Sequence, residues 1–377
     1  MASTKRGNDV GDVIRGASMN YVLGLRPGTD ADSFVSYYPP LPMREGVPLS
    51  YGGFALSLSM NAALQTVEDA VYFHPYSVLG NYLGPTTGNV DLELKVTRLR
   101  DTRTFKTRQV TAFQTVKGAK RACMTLTLDC VRRSAGSADD KDGGRDKELP
   151  DVVSLDVQPD PHPEHHSNLK MLHDQLDEDV KTGLLPAKPR KLHAMLFGEA
   201  THCIDLKHPR HGFNYQTIEG FFPKAKTTQD HLSIPQRVVM DWFHAKEPPE
   251  AKESTKPHSE GMLLPPTLQT ASACFLLFAM DAFLPITPLV LSRTPLPKAQ
   301  AHALDFSLRF HMDEDLDAQG SWFYREIKTL TAKGHRSFNT ARVWQERGDG
   351  SLTLAATMSQ SCLLRPLPPP AKPSSKM

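Results

Sequence analysis

The stretch Arg103-Thr104-Phe105-Lys106-Thr107 is repeated 233 residues later (from position 103 to position 336) as Arg336-Ser337-Phe338-Asn339-Thr340. Further matches follow outward in the same order. They are Val110 and Gln114 with Val343 and Gln345, after a small slip in register, and Met124–Cys130 with Thr357–Cys362. Several matches in one order, each on sequence typical of a strand, indicate an internal duplication.

Each copy has the same order of predicted elements, one helix and then several strands. The helices are predicted over Gly53–Val71, where apolar residues recur at helical spacing, and over Gln269–Leu284, an almost wholly apolar run. The strands are rich in β-branched and aromatic residues. They are predicted over Asp91–Thr97, Phe105–Gln114, Ala122–Leu128, Val238–His244, Ala303–His311, Trp322–Leu330, Ser337–Gln345 and Leu352–Leu364. This order predicts an α+β fold of two curved antiparallel sheets, each wrapped around a central helix and joined edge to edge.

Length and composition predict a water-soluble globular protein with two domains. The chain has 377 residues, of which 39% are hydrophobic and 23% charged. The predicted parts are an N-terminal domain (1–133), an irregular linker region (134–235), a C-terminal domain with the active site (236–366) and an extended proline-rich tail (367–377). Within the linker, Ser134–Glu148 is charged and glycine-rich, which predicts a disordered loop. The aromatic residues of 188–226 are expected to pack, without a specific structure being predicted.

Charge and cysteine usage exclude several classes of protein. The 44 basic and 42 acidic residues leave a net charge of +2, which argues against a nucleic-acid-binding protein. The five cysteines form no C-x-x-C pair, which favours free thiols in an intracellular protein. The apolar run Ala273–Asp281 is too short for a membrane span, which needs roughly 20 residues. No P-loop or G-x-S-x-G motif is present, so an NTPase and an α/β-hydrolase esterase are disfavoured.

Four stretches of the sequence carry a family resemblance. They are Tyr51-Gly52-Gly53, Leu99–Val110, Phe278–Pro285 and Leu304–His311. In this order they resemble the acyl-CoA thioesterase II family, whose fold is a tandem double hot-dog. The resemblance implies that the chain hydrolyses an acyl-CoA thioester without a cofactor and without a covalent nucleophile.

The resemblance also implies which residues carry the chemistry. In the family an Asp, a Ser or Thr, and a Gln of the second domain hold and polarise the attacking water. The Asp corresponds to Asp281 and the Gln to Gln360, whereas the hydroxyl residue is replaced by Ala303. Asp281 could instead be a satisfied structural carboxylate, and a strand Gln such as Gln360 could face solvent.

The substitution at Ala303 puts hydrolysis in doubt, because a methyl group cannot form a hydrogen bond to water. A regular strand would place Ala303, Asp305 and Ser307 on one face. Asp305 or Ser307 is therefore expected to substitute in part for the missing hydroxyl. Losing one positioning hydrogen bond slows an enzyme without always abolishing its activity.

Two further groups of residues are candidates for binding the substrate. Gly52 and Gly53 would offer a bare backbone amide to the thioester carbonyl oxygen, or would serve only to start the helix tightly. Arg100, Arg103 and Arg108 would meet the phosphates of coenzyme A, or would be solvated strand positions.

Four histidines lie close together in the linker region, and their spacing matches no standard tetrahedral motif. They are His162, His165, His166 and His173. The sequence therefore predicts no metal site.

The partner predicted by the resemblance is an acyl-CoA or a related acyl thioester. The alternative is a non-hydrolytic hot-dog enzyme or an acyl-binding protein, acting on an acyl or polyketide-like intermediate of secondary metabolism. Ser375-Lys376-Met377 is a close variant of the Ser-Lys-Leu peroxisomal address, which predicts an import receptor as partner and a peroxisomal location, with a cytoplasmic one otherwise. The sequence leaves open a homo-oligomer and the length of the acyl chain.

Overall fold

The structure is a computed structural model, which describes residues 19–44, 47–132, 153–159, 162–197, 203–247, 261–296, 299–312 and 315–367. The loop predicted over Ser134–Glu148 and the tripeptide Ser375–Met377 lie outside these residues. Within them, no helix combines the length and the apolar character needed to cross a bilayer.

The described residues contain a twelve-stranded sheet in which all neighbouring strands are antiparallel. Its strands are β1 (Leu25–Pro27), β2 (Ser33–Ser36), β5 (Phe73–Tyr82), β6 (Glu93–Asp101), β7 (Phe105–Val116), β8 (Ala119–Arg132), β9 (Ile204–Lys207), β10 (Val239–Ala245), β11 (Ala299–Phe310), β12 (Phe323–Lys333), β13 (Arg336–Glu346) and β14 (Leu352–Pro366). A separate hairpin is formed by β3 (Pro42–Arg44) and β4 (Val47–Ser50).

The strand order makes the internal duplication visible. Outward from the middle of the sheet, the first half runs β5, β8, β7, β6, β2, β1, and the second half runs β11, β14, β13, β12, β10, β9. The halves join where β5 pairs with β11, from Asn81 opposite Asp305 to Ser77 opposite Arg309. The predicted α+β arrangement of two sheets joined at their edges is confirmed.

One long helix accompanies each half, and the two helices pack against each other in the main core. They are α2 (Gly52–Gln65) and α6 (Leu268–Met280). Ser57 of α2 donates a hydrogen bond of 2.9 Å to the carbonyl of Cys274 in α6. The other helices are α1 (Met19–Leu23), α3 (Leu172–Lys181), α4 (Ala187–Phe197), α5 (Phe213–Gln216) and α7 (Thr287–Leu291).

Both long helices end earlier than the apolar runs predicted. The helices end at Gln65 and Met280, and the chain then enters the left-handed region at Asp69 (φ 54°) and at Phe283 (φ 73°). A residue in the left-handed region cannot continue a right-handed helix. Of the apolar residues beyond these points, Val71 lies in a short 3-10 helix (Ala70–Tyr72) and Leu284 lies in a turn.

Part of the region 188–226 packs against Leu172 and Leu176 of α3 in a small separate core that also contains Tyr215, Ile218 and Phe221. Phe213 belongs to the main core instead. Strand β9 pairs with β10 and forms one edge of the sheet. The linker region therefore contributes ordered structure to the second half of the molecule.

Candidate active site

Asp281 lies directly after α6, where the helix ends. It is only 4% exposed. The N-terminus of α2 lies beside it, because a Cβ atom at Gly52 would stand 2.7 Å from the Asp281 Oδ2 atom. At the opposite ends of the same two helices, Gln65 donates to the carbonyl of Leu264. The two helices are thus antiparallel, and the end of one faces the start of the other.

Three donors hold the Asp281 carboxylate. Gln360 of β14 donates through Nε2 to Oδ1 at 2.8 Å. The hydroxyl of Tyr82, at the end of β5, donates to the same oxygen at 2.7 Å. The backbone N–H of Gly53 adds a third hydrogen bond to the carboxylate. The structure therefore brings Asp281 and Gln360 together, and it adds a tyrosine from the first half of the molecule.

Burial raises the pKa of Asp281 above the usual value for an aspartate, and the hydrogen bonds from Tyr82, Gln360 and Gly53 oppose this shift. Burial also raises the pKa of Tyr82, and the neighbouring Asp281 charge raises it further. Tyr82 consequently remains a protonated donor. Asp281 is a carboxylate whose proton affinity has been increased, which suits a general base.

The two glycines at the start of α2 are required by close contacts. A Cβ atom at Gly52 would lie 2.7 Å from Asp281 Oδ2 and 3.0 Å from the Tyr82 hydroxyl. A Cβ atom at Gly53 would lie 2.4 Å from the ring of Tyr51 and 2.7 Å from the carbonyl of Phe278. The amide of Gly53 donates to Asp281 in this structure, so it serves to hold the carboxylate.

A buried chain of hydrogen bonds fixes the orientation of Gln360. The thiol of Cys362 lies 3.4 Å from Gln360 Oε1 and donates to it. Asn339 donates to the Cys362 sulfur and accepts from Thr329 at 2.9 Å. Because Gln360 Oε1 is occupied by the thiol, its amide nitrogen faces Asp281. Burial raises the pKa of Cys362 to about 12, so this cysteine is a neutral thiol and not a nucleophile.

Ala303 lies near this network, on β11, which has a β-bulge at this point. In the pairing of β11 with β14, Ala303 is opposite Cys362 and Phe306 is opposite Gln360. The strand β11 therefore has one extra residue between Ala303 and Asp305. Such a bulge reverses the alternation of side chains. Ala303 and Phe306 therefore share the face that carries Gln360, whereas Asp305 and Ser307 lie on the other face.

The expectation that Asp305 or Ser307 replaces the missing hydroxyl is therefore wrong in this structure. Asp305 accepts a hydrogen bond from the backbone N–H of Ser361. Ser307 accepts from Arg309 at 3.0 Å and lines a cleft of about 490 Å³ on the outer face of the sheet. The bulge is the physical reason, because a regular strand would have kept these residues on the face of Ala303.

The Arg108 side chain is bonded to groups of the protein itself. Its side chain is completely buried, and its guanidinium donates to the Thr66 side chain and carbonyl, to Asp101 and to two further carbonyls. All of these acceptors belong to the protein, so the guanidinium is neither solvated nor turned towards a phosphate. Arg100 is partly exposed and bonds to Thr107 and Asp129. Arg103 is exposed at the β6–β7 turn.

Sequence reasoning missed Tyr82 and the structural part played by Tyr51. The Tyr51 hydroxyl donates to the carbonyl of Phe278, and its ring meets the Phe278 ring edge-on at 5.0 Å between centroids. Tyr51 thus links the start of α2 to the end of α6. Tyr82 could have been found from the sequence only by predicting strand β5, at whose end it lies, and that strand was not predicted.

Comparison with known proteins matches both halves of the sheet. A family model described as the acyl-CoA thioesterase N-terminal domain matches residues 39–131, and one described as the C-terminal domain matches residues 216–364. A comparison with curated protein sequences found no match.

Solved structures share the fold at low sequence identity. Acyl-CoA thioesterase II TesB2 from Mycobacterium marinum is 15% identical, with a TM-score of 0.57 over 93% of this chain and 99% of that chain. The tesB protein of Mycobacterium avium subspecies paratuberculosis is 15% identical, with a TM-score of 0.56 over 96% and 100%. A hot-dog protein of unknown function from Alicyclobacillus acidocaldarius is 14% identical, with a TM-score of 0.54 over 93% and 98%.

The neighbours identify the architecture, and the two family models cover more than half of the chain, one on each half of the sheet. The chain therefore has a tandem double hot-dog fold and belongs to the acyl-CoA thioesterase family.

Proposed function

We propose that this protein hydrolyses acyl-CoA thioesters and that Asp281 is the general base. The observation that carries the proposal is the Asp281 carboxylate, buried at the end of α6 and bonded to Gln360 and Tyr82. A thioester carbonyl is electrophilic enough to react with water once a carboxylate accepts the water proton. Gln360 and Tyr82 hold that carboxylate in one orientation, which reduces the entropy lost on reaching the transition state.

Because position 303 holds alanine, β11 lacks a neutral hydrogen-bonding side chain there. The Tyr82 hydroxyl can supply such a group from another strand. Tyr82 lies on β5, the strand that pairs with β11, and its ring packs against Phe306 at 5.7 Å between centroids. We infer that Tyr82 takes part in positioning the attacking water. Proton abstraction requires ionised Asp281, so kcat/KM is expected to rise with pH through the raised pKa of this residue.

A second candidate function follows from Ala303. A hot-dog protein that binds acyl thioesters without hydrolysing them, or that transforms an acyl or polyketide-like intermediate differently, does not need the hydroxyl at this position. The three donors around Asp281 favour hydrolysis, because a pure binding protein has no need of a buried carboxylate with a raised pKa.

Release of free thiol from acyl-CoA substrates of increasing chain length distinguishes the two functions. We expect turnover with at least one chain length. Asp281→Ala should reduce kcat by about 10²–10⁴-fold, the range for loss of a general base. Gln360→Ala should cost less, about tenfold.

Background thiol release at every chain length by a folded protein would contradict hydrolysis. In that case, weaker acyl-CoA binding by Asp281→Ala would favour the second candidate. The substrate class itself is checked by comparing acyl-CoA with the same acyl group on acyl carrier protein.

The cellular location is a separate proposal. We propose that Ser375-Lys376-Met377, a close variant of the Ser-Lys-Leu address, directs the protein to peroxisomes. Deleting these three residues should move a fluorescently tagged protein from puncta to the cytosol. An unchanged distribution would dispose of this proposal and favour a cytoplasmic location.

A further inference from the structure

A segment of the linker region crosses the outer face of the second half of the sheet, opposite α6. Residues 153–159 and 162–170 bond to it through their backbone and through Asp156 and Gln158. Trp344 donates to the carbonyl of Val157 at 2.7 Å, and Trp242 donates to the carbonyl of Glu164 at 2.9 Å. Beside these contacts the segment places two consecutive histidines, His165 and His166, against the end of β13.

The two imidazoles converge on one carboxylate. His166 Nε2 lies 2.8 Å from one oxygen of Glu346, and His165 Nε2 contacts the other oxygen. The nitrogen and oxygen atoms of this group lie within 4.8 Å of one another. Two imidazoles and a carboxylate are a common set of ligands for zinc and related divalent ions, with the fourth position left to water.

The surroundings hold the ligands in place and leave one side accessible. The His166 ring stacks on Trp322 at 4.8 Å and meets Trp242 edge-on at 5.2 Å. The side chains of His166 and Glu346 are 15% and 14% exposed, whereas that of His165 is 42% exposed. An ion can therefore approach from the side of His165, and the other two ligands need little rearrangement.

The Nδ1 atoms of the two imidazole rings determine which tautomer each ring adopts, and therefore affect metal binding at Nε2. His165 Nδ1 accepts a hydrogen bond from the backbone N–H of Ser167 at 3.2 Å and lies 2.8 Å from the Ser167 hydroxyl, so the ring proton is on Nε2 and must leave it when a metal binds there. His166 Nδ1 is buried, and the described residues provide it with no hydrogen-bond partner.

We propose that His165, His166 and Glu346 bind a divalent transition-metal ion of the zinc class, and that the ion fastens the linker segment to the second half of the sheet. The ligands come from positions 180 and 181 residues apart. No sequence spacing could have indicated them, because only the folded linker brings them together. The ion has a structural role, since its site lies on the sheet face opposite α6.

The experiment uses full-length protein carrying a tag without histidine, after removal of metals with a chelator. We expect zinc to bind with 1:1 stoichiometry in calorimetry and to raise Tm. Cu²⁺ should quench the intrinsic fluorescence, because all three tryptophans (Trp242, Trp322 and Trp344) belong to the aromatic cluster around this group.

His165→Gln is the safest test variant because this side chain is the most exposed of the three, and Glu346→Gln tests the carboxylate. Each should weaken zinc binding about tenfold or more, whereas His162→Gln, a neighbour outside the group, should leave it unchanged. Circular dichroism confirms that each variant is folded. Absence of stoichiometric binding, or binding that both variants leave intact, would overturn the proposal and reduce the group to a hydrogen-bonded cluster. Thiol release is not a readout here, so the result is independent of the proposed hydrolysis.

Discussion

The ends of the two long helices have the same support but carry different residues. Where α2 ends, Arg108 donates to the carbonyl of Thr66 at 2.9 Å. Where α6 ends, Arg325 donates to the carbonyls of Ala279 and Ala282 at 2.7 and 3.2 Å. In both halves a buried guanidinium donates to carbonyls at the C-terminal end of the helix, and its charge complements the helix dipole.

The difference lies in the residue that follows each helix. It is Thr66 after α2 and Asp281 after α6. A buried carboxylate at a helix C-terminus is disfavoured by the helix dipole and by desolvation. The N-terminus of α2, with the Gly53 amide, offsets part of this cost. The two arginines lie on strands that are not equivalent in the duplication, β7 and β12, so each half supports its helix end from a different strand, and only the second half carries a group that stability alone would not select.

The largest effect is expected in the first half of the molecule, where no carboxylate follows the long helix. Arg108→Met should lower the free energy of unfolding by about 3 kcal/mol, because it removes the donor to the buried Thr66 carbonyl and one of the two cationic partners of Asp101. Urea unfolding measures the loss. Thiol release per folded molecule should remain unchanged, since Arg108 supports α2 and contacts no residue of the candidate active site.

An increase in KM for acyl-CoA of tenfold or more with this variant, at unchanged stability, would contradict the structural interpretation. It would instead restore the phosphate-binding role considered from the sequence.

The next prediction concerns the contact between the two helix ends. Gly52→Ala introduces a Cβ atom 2.7 Å from Asp281 Oδ2 and 3.0 Å from the Tyr82 hydroxyl, so the carboxylate must move. We expect kcat to fall about 10–100-fold, because displacement of a catalytic group by about 1 Å has effects of this order. Gly348→Ala is the matched control, since a Cβ atom there meets nothing within 4 Å. Equal activity of the two variants would show that the position of Asp281 is not critical.

A smaller effect should follow from restoring the hydroxyl at position 303. Ala303→Thr adds this group on the strand face that carries Gln360 and should raise kcat about tenfold, the contribution of one added hydrogen bond. Ala301→Thr, two residues earlier on β11, serves as control. Thiol release that Ala303→Thr leaves at background would favour the non-hydrolytic candidate.

The fold could be predicted because the duplication and the apolar helices leave direct marks on the sequence. Strand β5 could not, since Pro75 and Gly80 are both unfavourable in a strand. Pro75 is tolerated because the register of β5 shifts between Pro75 and Ser77. Tyr82 was missed for this reason, as it lies at the end of that strand.

The candidate site could be predicted from the sequence only in part. Asp281 and Gln360 were identified through the family resemblance, but the face of Ser307 was wrong because a β-bulge leaves no clear mark on a single sequence. The burial of Arg108 could have been inferred, since strict alternation places it on the same strand face as Val110 and Ala112, which are fully buried.

The smallest expected effect is on stability. It distinguishes Asp281 from Asp241, another buried aspartate near the end of α6. Asp241 is paired with Arg325 at 2.7 Å, whereas burial raises the pKa of Asp281. A carboxyl group with a raised pKa in the folded state favours folding below its unfolded pKa, and this contribution is lost as pH rises through the folded pKa.

Asp281→Asn removes the cost of burying the charge and keeps an oxygen that can accept from Tyr82 and Gln360. We therefore expect the variant and the original protein to have similar stability in acid. The variant should gain stability as pH rises, by about 1.4 kcal/mol for each unit by which the pKa is raised. Asp241→Asn should instead destabilise the protein, because it leaves the buried Arg325 without its charged partner. Urea unfolding at several pH values measures both. A loss of stability with Asp281→Asn at every pH would show that the Asp281 carboxylate is needed for folding, and the contrast between the two helix ends would then be structural and not functional.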